Sequence, residues 1–234
     1  MKVSAIWRYP VKSLQGERVD ATEVDRRGVR GDRHWSIFDP RTGHTLTARR
    51  EPALLFASAR LLDDGDVRIA LPDGSMPRTD EDLSDWLGRP VQLVTAGQRG
   101  GLYETPVDPE HEDGEWTRWR GPGGSFHDSA RTQVSLVSTA TIGEWDVRRF
   151  RPNLVVDTGG EERLVGSTVT VGSAELSVSK RIDRCVVVTR AQPGIDRDLD
   201  VFRTITREHG TYLGVAALVT AAGTIAVGDE VLAR

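Results

Sequence analysis

The 234-residue chain contains one cysteine, Cys185, and no uninterrupted run of 18 or more apolar residues. A single thiol cannot form an intrachain disulfide, a cysteine-ligated iron–sulfur cluster or a cysteine-rich zinc site. Without a long apolar run, we expect neither a transmembrane helix nor a membrane partner. The N-terminus also lacks an apolar segment of signal-peptide length, which favours a cytoplasmic location.

Lysine is scarce too, since only Lys2, Lys12 and Lys180 occur among the 31 lysines and arginines. The 35 acidic residues give a formal net charge of -4, which argues against a nucleic-acid-binding protein. Glycine-rich loops of the form GxGxxG or GxxxxGK[ST] are absent, as are the HExxH and GxSxG motifs. The usual nucleotide-binding, zinc-protease and α/β-hydrolase functions therefore lose support.

Short β-prone segments separated by glycine and proline predict a mainly β protein, an antiparallel β-barrel or sandwich with a few added helices. The predicted strands include 18–24, 53–62, 185–189 and two closing strands around an Ala-Ala-Gly turn. The predicted helices, marked by capping residues and glycine stops, are 81–88, 138–150 and 198–210.

Residues 97–125 lose periodicity and are rich in glycine, proline and acidic residues. This composition predicts a connecting loop between two β-rich parts. The first part is an N-terminal region at 1–96, whose first strands join the barrel, and the second is a β-barrel domain at 126–234. The connector, which contains Trp116 and Trp119, could also form a lid over a site.

Polar and cationic residues gather where turns meet strands, and their chemistry suits an anion. The candidate residues are Lys12, Ser13, Arg33, Arg151 and Asn153, with Arg184 directly before Cys185. Arginine binds oxyanions through two parallel N–H donors, and backbone N–H groups in turns add further donors. A cation next to Cys185 would favour a thiolate that could bind a metal or act as a nucleophile.

Each of these residues also has a purely structural interpretation. A cysteine that begins an apolar stretch, as Cys185 does, is commonly a buried small hydrophobe. Lys12 could be a solvated charge, Arg33 could form a surface ion pair, and Asn153 could cap a turn. The residues alone therefore leave open a simple anion-binding barrel with an inert cysteine.

Several segments, in order along the chain, resemble the MOSC family of proteins, which are similar to the C-terminal domain of molybdenum-cofactor sulfurase. The matching segments are YPVKSLQG, GVRGDRHWSIFDPRTGHTLTARREPAL, RFRPNLVV, DRCVVVT, GIDRD and GTIAVGDEV. The resemblance implies a MOSC β-barrel of the pyruvate-kinase type, packed with a smaller N-terminal β-rich region. It also implies a cofactor, molybdenum carried by molybdopterin.

Carried over residue by residue, the resemblance implies that Cys185 supplies a thiolate to molybdenum. It implies a catalytic position near the metal for Asp128. It assigns the remaining candidates to the pterin and its phosphate, namely Lys12, Ser13, Arg33, Arg151, Asn153, Asp183 and Arg184. Asp183 stands where the better-known members carry a small hydroxyl residue.

The resemblance further implies an oxidoreductase that reduces small N-hydroxylated compounds, with Asp128 passing a proton to the departing oxygen. Because the chain has no cysteines for a cluster, we expect a separate electron donor, a ferredoxin or a flavin reductase. A second hypothesis is a cofactor-binding or sulfur-carrier protein that holds a persulfide on Cys185 and has no reductase turnover.

Overall fold

The computed structural model describes residues 1–98, 100–108 and 112–234. The strands in chain order are β1 (Val3–Arg8), β2 (Glu17–Val19), β3 (Ala21–Asp25), β4 (Gly28–Val29), β5 (Trp35–Asp39), β6 (His44–Thr45), β7 (Ser58–Leu61), β8 (Val67–Ala70), β9 (Gln92–Thr95), β10 (Leu102–Pro106), β11 (Trp116–Arg120), β12 (Val134–Ser138), β13 (Leu154–Val156), β14 (Thr168–Val171), β15 (Ala174–Asp183), β16 (Tyr212–Ala221), β17 (Gly223–Ala226) and β18 (Val231–Ala233). The α-helices are α1 (Asp80–Leu87), α2 (Thr139–Ile142) and α3 (Leu199–His209), and the 3-10 helices are Pro52–Phe56, Val147–Arg149, Glu161–Leu164 and Val186–Thr189.

The mainly β fold is confirmed, and the largest sheet has eight strands in the order β18–β14–β15–β16–β12–β13–β1–β2. Its neighbouring strands are antiparallel except for β12 and β13. The sheet curls into a half-barrel, and register shifts within the β15–β16 pair are of the kind that bends a sheet. Strand β1 lies between β13 and β2, so both halves of the chain build this sheet.

Alternating side chains give this sheet its apolar core. On β14, Val169 and Val171 are fully buried while Thr168 and Thr170 are only half-buried. Leu176 on β15 pairs with Val169 and is buried with it. The period of two places the aliphatic side chains on one face of the sheet. Each large aliphatic side chain buried in this way stabilises the fold by about 1.5–3 kcal/mol.

A second core lies in the N-terminal region, beneath the β6–β5–β9 sheet and the β7–β8 hairpin. Its buried side chains include Val11, Leu14, Trp35, Ile37, Leu54 and Leu83. The helix predicted at 81–88 is α1, where Thr79 and Asp82 form a reciprocal capping box. The helix ends where Gly88 adopts a left-handed φ of 66°.

The helix predicted at 198–210 is also present, as α3. The Asp198 carboxylate accepts a hydrogen bond from the backbone N–H of Asp200, and Gly210 ends the helix with a φ of 60°. Val201 and Ile205 pack into a third apolar cluster at this end of the molecule. Among the described residues, no helix is both long enough and apolar enough to cross a membrane.

Predictions for three apolar segments are wrong in part. Residues 53–62 form the 3-10 helix Pro52–Phe56 followed by β7, and 185–189 form a 3-10 helix at Val186–Thr189 rather than a strand. The helix predicted at 138–150 breaks at Gly143, so only α2 and a 3-10 turn remain. A short buried apolar run has no periodicity that separates a strand from a helical turn.

One strand prediction is wrong in part, and the two closing strands are confirmed but have other partners. The strand predicted at 18–24 divides into β2, which pairs with β1, and β3, which pairs with β17. The two closing strands are present on either side of the Ala-Ala-Gly turn as β16 and β17. They do not pair with each other, because β17 pairs with β3 and β16 pairs with β15 and β12. Pairing between distant strands depends on tertiary packing, which local sequence patterns do not contain.

Residues 97–125, predicted as a connecting loop, contain the antiparallel hairpin β10–β11. Tyr103 lies opposite Trp119, and Thr105 lies opposite Thr117. Charged residues occupy the other face of the hairpin, such as the half-buried Glu104 and its exposed cross-strand partner Arg118. Those charges conceal the alternation that a longer strand would make visible.

Candidate functional site

A cavity of about 410 Å³ lies where the N-terminal region, the β10–β11 hairpin and the end of β15 meet. It brings together the predicted site residues Lys12, Ser13, Arg33, Asp128, Arg151, Asp183, Arg184 and Cys185. Residues that the sequence analysis did not select also line it, among them Arg49, Trp119, His127 and Arg149. A wider surface groove of about 670 Å³, beside Asp25 and His34, contains none of the predicted site residues.

Three turn residues at this cavity have left-handed backbone conformations. The φ angles of Ser13, Arg33 and Arg151 are 69°, 50° and 52°. Such conformations cost a non-glycine residue about 1–2 kcal/mol, so the surrounding structure must hold them. The Ser13 hydroxyl accepts a hydrogen bond of 3.0 Å from the N–H of Ala48, and the N–H of Arg33 donates to the Tyr9 carbonyl at 2.7 Å.

Asp128 joins two cations at one end of the cavity. Lys12 donates hydrogen bonds from Nζ to an oxygen of Asp128 and to the Phe126 carbonyl, and Arg49 donates to the other carboxylate oxygen at 2.7 Å. Partial burial acts to raise the pKa of Asp128, whose side chain is about half exposed, but the charges of Arg49 and Lys12 outweigh it and hold the pKa well below its usual range. Burial lowers the pKa of Lys12 to about 8, although Asp128 opposes this effect.

Arg49 links this ion pair to the cysteine. Its guanidinium donates a hydrogen bond to Asp128 and lies close enough to Cys185 to interact with it electrostatically. Burial acts to lower the pKa of Arg49, but the interactions with Asp128 and Cys185 outweigh it and raise the pKa above its usual range. Its Nε is buried and has no hydrogen-bond partner within the described part of the chain. Arg49 lies in the segment GVRGDRHWSIFDPRTGHTLTARREPAL that resembles the MOSC family, but it was not among the predicted site residues.

Arg33 and Arg151 enclose the ring of Tyr9 on another side of the site. Their guanidinium carbons lie 5.1 and 4.4 Å from the ring centroid. Arg33 pairs with Asp32 and donates to the Arg151 carbonyl at 3.1 Å. Burial lowers the pKa of Arg151 to about 10, and its Nη2 has no partner among the residues that the structure describes.

His127 is a buried side chain that the sequence analysis missed. It is 2% exposed, it lines the cavity, and its Nε2 lacks a hydrogen-bond partner among the described residues. Burial, followed by the charge of Arg33, lowers the pKa of His127 to about 4, so its imidazole is neutral at pH 7. Its position directly before Asp128 was the available signal, because a histidine beside a predicted catalytic carboxylate is a candidate by chemistry.

Cys185 is half-buried and precedes the 3-10 helix Val186–Thr189. The neighbouring Arg184 points its guanidinium at backbone carbonyls, donating to Leu213 and Phe150 at 2.8 Å. Burial lowers the pKa of Arg184 to about 10. Asp183 is exposed at the mouth of the cavity and accepts a bond of 3.4 Å from Lys180. Arg184 therefore holds the backbone that carries Cys185, and Asp183 meets solvent.

Asn153 does not line the cavity, unlike the other predicted site residues. Its side chain is fully buried, and its Oδ1 accepts hydrogen bonds from the backbone and hydroxyl of Ser135 at 3.1 and 3.0 Å. Its Nδ2 donates to the Trp7 carbonyl. These bonds fix the strand that follows Arg151, so Asn153 contributes to the site through backbone position.

The arrangement suits an anionic ligand. Lysines and arginines outnumber carboxylates along the cavity. Two buried donors there, Arg49 Nε and Arg151 Nη2, and one buried imidazole nitrogen, His127 Nε2, have no partner in the described chain. Unpaired buried donors are costly, and a ligand that accepts their hydrogen bonds would remove that cost. The described residues include no group of three or more histidine, cysteine, aspartate or glutamate side chains that could hold a metal. A metal bound at Cys185 would therefore need to bring other ligands with it.

Two family models match the chain. Residues 1–98 match the MOSC N-terminal beta barrel domain, and residues 124–232 match the MOSC domain. Neither match includes residues 99–123, where the β10–β11 hairpin lies. The order of the two matches follows the order of the N-terminal region and the barrel along the chain.

The chain is 40% identical over 230 residues to mitochondrial amidoxime reducing component 2 of Rattus norvegicus, which covers 80% of this chain and 66% of that protein. It is 23% identical over 236 residues to molybdenum cofactor sulfurase of Drosophila willistoni, covering 85% of this chain and 28% of that protein. The crystal structure of the YUAD protein from Bacillus subtilis has a similar fold, with a TM-score of 0.50 at 13% identity over 98% of this chain and 93% of that chain. From the two domain matches and the similarity to the rat protein, the chain belongs to the MOSC family.

Proposed function

We propose that this protein binds a molybdenum cofactor at the cavity and reduces small N-hydroxylated compounds with electrons from another protein. The observation that carries the proposal is a cation-rich cavity with unpaired buried donors and one thiol, Cys185, at the Arg49–Asp128 ion pair. The similarity to the amidoxime reducing component and to molybdenum cofactor sulfurase supports the same choice of cofactor.

The donor set fits molybdopterin. The cofactor brings two dithiolene sulfurs, so the protein needs to add only one soft ligand, and Cys185 is the one thiol of the chain. The phosphate of the pterin needs cations and N–H donors, for which Arg33, Arg151 and the left-handed turns are suited. When bound, the cofactor supplies the two-electron chemistry, and the protein supplies orientation and charge.

The residues named from the family resemblance fall into two groups, those whose side chains reach the cavity and those that position other residues. Lys12, Ser13, Arg33 and Arg151 reach the cavity and would hold the pterin and its phosphate. Arg184 would orient Cys185 through its bonds to two carbonyls, and Asn153 would support Arg151 from below the cavity wall. Asp183 lies at the mouth of the cavity, where its exposed side chain pairs with Lys180.

The proton required for N–O cleavage would come from the Lys12–Asp128 pair. Asp128 has a pKa well below its usual range, so at neutral pH its carboxyl carries no proton of its own. Lys12 is hydrogen bonded to it and has a pKa of about 8, close to neutral pH. General acids work best when their pKa lies near the working pH, so Lys12 would hold the proton and Asp128 would position Lys12.

Electrons would come from a redox centre outside these 234 residues, because one cysteine cannot ligate an iron–sulfur cluster. A ferredoxin or a flavin reductase would fill this role. Purified protein given only a nicotinamide cofactor is expected not to reduce benzamidoxime, and addition of a reductase system is expected to restore turnover. Turnover with the nicotinamide alone would contradict a separate donor.

The decisive test is metal and pterin analysis of protein made in a host that synthesises molybdenum cofactor, compared with Cys185→Ala. We expect about one molybdenum per chain in the wild type, and loss of the metal from the variant with retention of the pterin. Wild-type protein that contains neither molybdenum nor pterin would overturn the proposal.

A second candidate function is sulfur transfer, which the similarity to molybdenum cofactor sulfurase favours. Cys185 would then carry a persulfide, and the cations around it would stabilise the charged sulfur. Intact-mass analysis under non-reducing conditions distinguishes the two functions. An extra sulfur that disappears with reductant and is absent from Cys185→Ala would favour the carrier.

A further inference from the structure

One wall of the cavity has no part in the function proposed above. Trp119 on β11 and Thr105 on β10 line the cavity from the hairpin. Both lie between the two family matches, so membership of the family does not account for them. On a two-stranded hairpin, side chains alternate between faces, and Tyr103, Thr105, Thr117 and Trp119 share the face toward the cavity.

Trp119 is held in place by a buried partner. Its ring packs on that of Tyr103, with 4.7 Å between centroids and 58° between planes. Tyr103 is fully buried, and the Lys12 ammonium lies 4.3 Å from its ring centroid. Gly101 and Gly121 approach this ring so closely that a Cβ on either would lie 2.7 or 2.5 Å from it. Tyr103 thus anchors the hairpin. Trp119 is only half-buried, so part of its indole ring is accessible to a ligand.

The Trp119 indole also lies at the end of the cavity that contains Asp128 and Cys185. The guanidinium carbon of Arg49 lies 5.8 Å from the centroid of the Trp119 ring. The same guanidinium is hydrogen bonded to Asp128, and Cys185 lines the same cavity. A compound that approaches the metal bound at Cys185 would therefore pass beside the indole.

We propose that Trp119 forms the aromatic wall of a substrate subsite, so that planar aromatic N-hydroxylated compounds are preferred over aliphatic ones. This rests on the proposed function, because it names the substrate class of the same site. A flat indole offers a large apolar surface, and aromatic rings attract one another beyond the area that they bury. An aliphatic compound with the same reacting group gains less from this wall.

Trp116 supplies a matched control on the same strand. It lies three residues before Trp119, hence on the opposite face of β11, and it does not line the cavity. Its Nε1 donates to the Glu112 carbonyl at 2.8 Å, and the guanidinium carbon of Arg50 lies 4.1 Å from its ring centroid. Truncation of either tryptophan removes the same side chain from the same hairpin.

The first experiment compares benzamidoxime with acetamidoxime, which share the reacting group. Cofactor-loaded wild type, Trp119→Ala, Trp119→Phe and Trp116→Ala are assayed with an artificial reductant. We expect Trp119→Ala to lower kcat/KM about tenfold for benzamidoxime and less than about twofold for acetamidoxime. Trp119→Phe and Trp116→Ala are expected to retain the wild-type preference. Equal losses for both compounds in Trp119→Ala, or the same change in Trp116→Ala, would overturn the subsite.

The second experiment measures binding without turnover. Calorimetry of the holoprotein with benzamidine and acetamidine, the products, is expected to give tighter binding of benzamidine and loss of this preference in Trp119→Ala. If loaded wild type reduces neither amidoxime but still prefers benzamidine, the reductase proposal fails and the subsite stands. If it reduces both equally and binds both products equally, the reductase proposal stands and the subsite fails. Trp119→Phe, which keeps a ring, separates loss of the wall from loss of folding.

Discussion

The carboxylate of Asp128 accepts a hydrogen bond of 2.7 Å from Nη2 of Arg49, a residue 79 positions earlier in the chain. Its other oxygen binds Lys12, which follows the first strand. One carboxylate thereby joins three distant segments at the edge of a cavity that also contains Cys185. Because the two cations balance this charge, the ion pairs contribute both to the stability of the fold and to the electrostatics of the site.

Asp128→Asn is expected to lower the free energy of unfolding by about 1 kcal/mol at pH 7, a small value because about half of the side chain is exposed. The pKa of Asp128 lies below its usual value in the folded protein, so its contribution is present at neutral pH and is lost as the pH falls below about 4. Urea denaturation of both proteins at pH 7 and pH 3.5 checks this. A difference that stays constant with pH would contradict the ion-pair account.

Lys12→Met is expected to weaken binding of inorganic phosphate to cofactor-free protein and to remove its dependence on pH near 8. Lys12 is charged below its pKa of about 8 and neutral above it, so the wild type should bind phosphate more tightly at pH 7 than at pH 9. Calorimetric titration at both values measures the change. If wild type and variant lose affinity equally between pH 7 and pH 9, another group is responsible.

His127→Asn is expected to flatten the dependence of stability on pH between about 4 and 6.5. The unfolded chain takes up a proton near pH 6.5, whereas folded His127 does so only near its pKa of about 4. Stability of the wild type therefore falls as the pH falls through this interval, by up to about 3 kcal/mol. Unfolding curves measured from pH 7 to pH 4.5 report the slope, and an unchanged slope in the variant would assign it to other groups.

Substitutions of Ser13 separate its hydrogen bond from its backbone strain. Ser13→Ala leaves the buried N–H of Ala48 without an acceptor and keeps a left-handed φ of 69°, so we expect a loss of about 1–3 kcal/mol. Ser13→Gly loses the same bond but is unstrained, and should be about 1 kcal/mol more stable than Ser13→Ala. Thermal unfolding of the two variants makes the comparison. A variant order with alanine more stable than glycine would show that the conformation is not strained.

The helix predictions that were confirmed are those for segments with a capping residue at the start and a glycine at the end. At α1 and α3, a capping side chain and a left-handed glycine satisfy or replace the terminal backbone bonds locally, and both helices lie where they were predicted. The helix expected at 138–150 also had a capping residue, Ser138, but Gly143 breaks it after one turn. The apolar run 185–189 had no capping residue or glycine to mark an end. Its side chains are buried in a 3-10 helix, and a strand would bury them equally well.

The candidate site was predicted best where the chain passes through turns. Lys12, Arg33 and Arg151 were selected because cations at turns suit an anion, and the structure places them around one cavity. Arg49 and His127 gave no such signal alone, since Arg49 stands in a string of charged residues and His127 is one of five histidines in the chain. Their importance depends on what reaches them from elsewhere in the chain: Asp128 and Cys185 for Arg49, and burial for His127.

The amino-acid sequence alone determined the chemical inventory of this protein. It provides one thiol, which is too few to ligate an iron–sulfur cluster. It also provides an excess of arginine over lysine and short strand-forming segments between glycine turns. Only the tertiary structure decided which of the many arginines are buried, and which cation near Cys185 pairs with a carboxylate. The reason is physical: desolvation and charge pairing act through space, so the pKa of Lys12 near 8 and the neutrality of His127 depend on packing between segments more than a hundred residues apart.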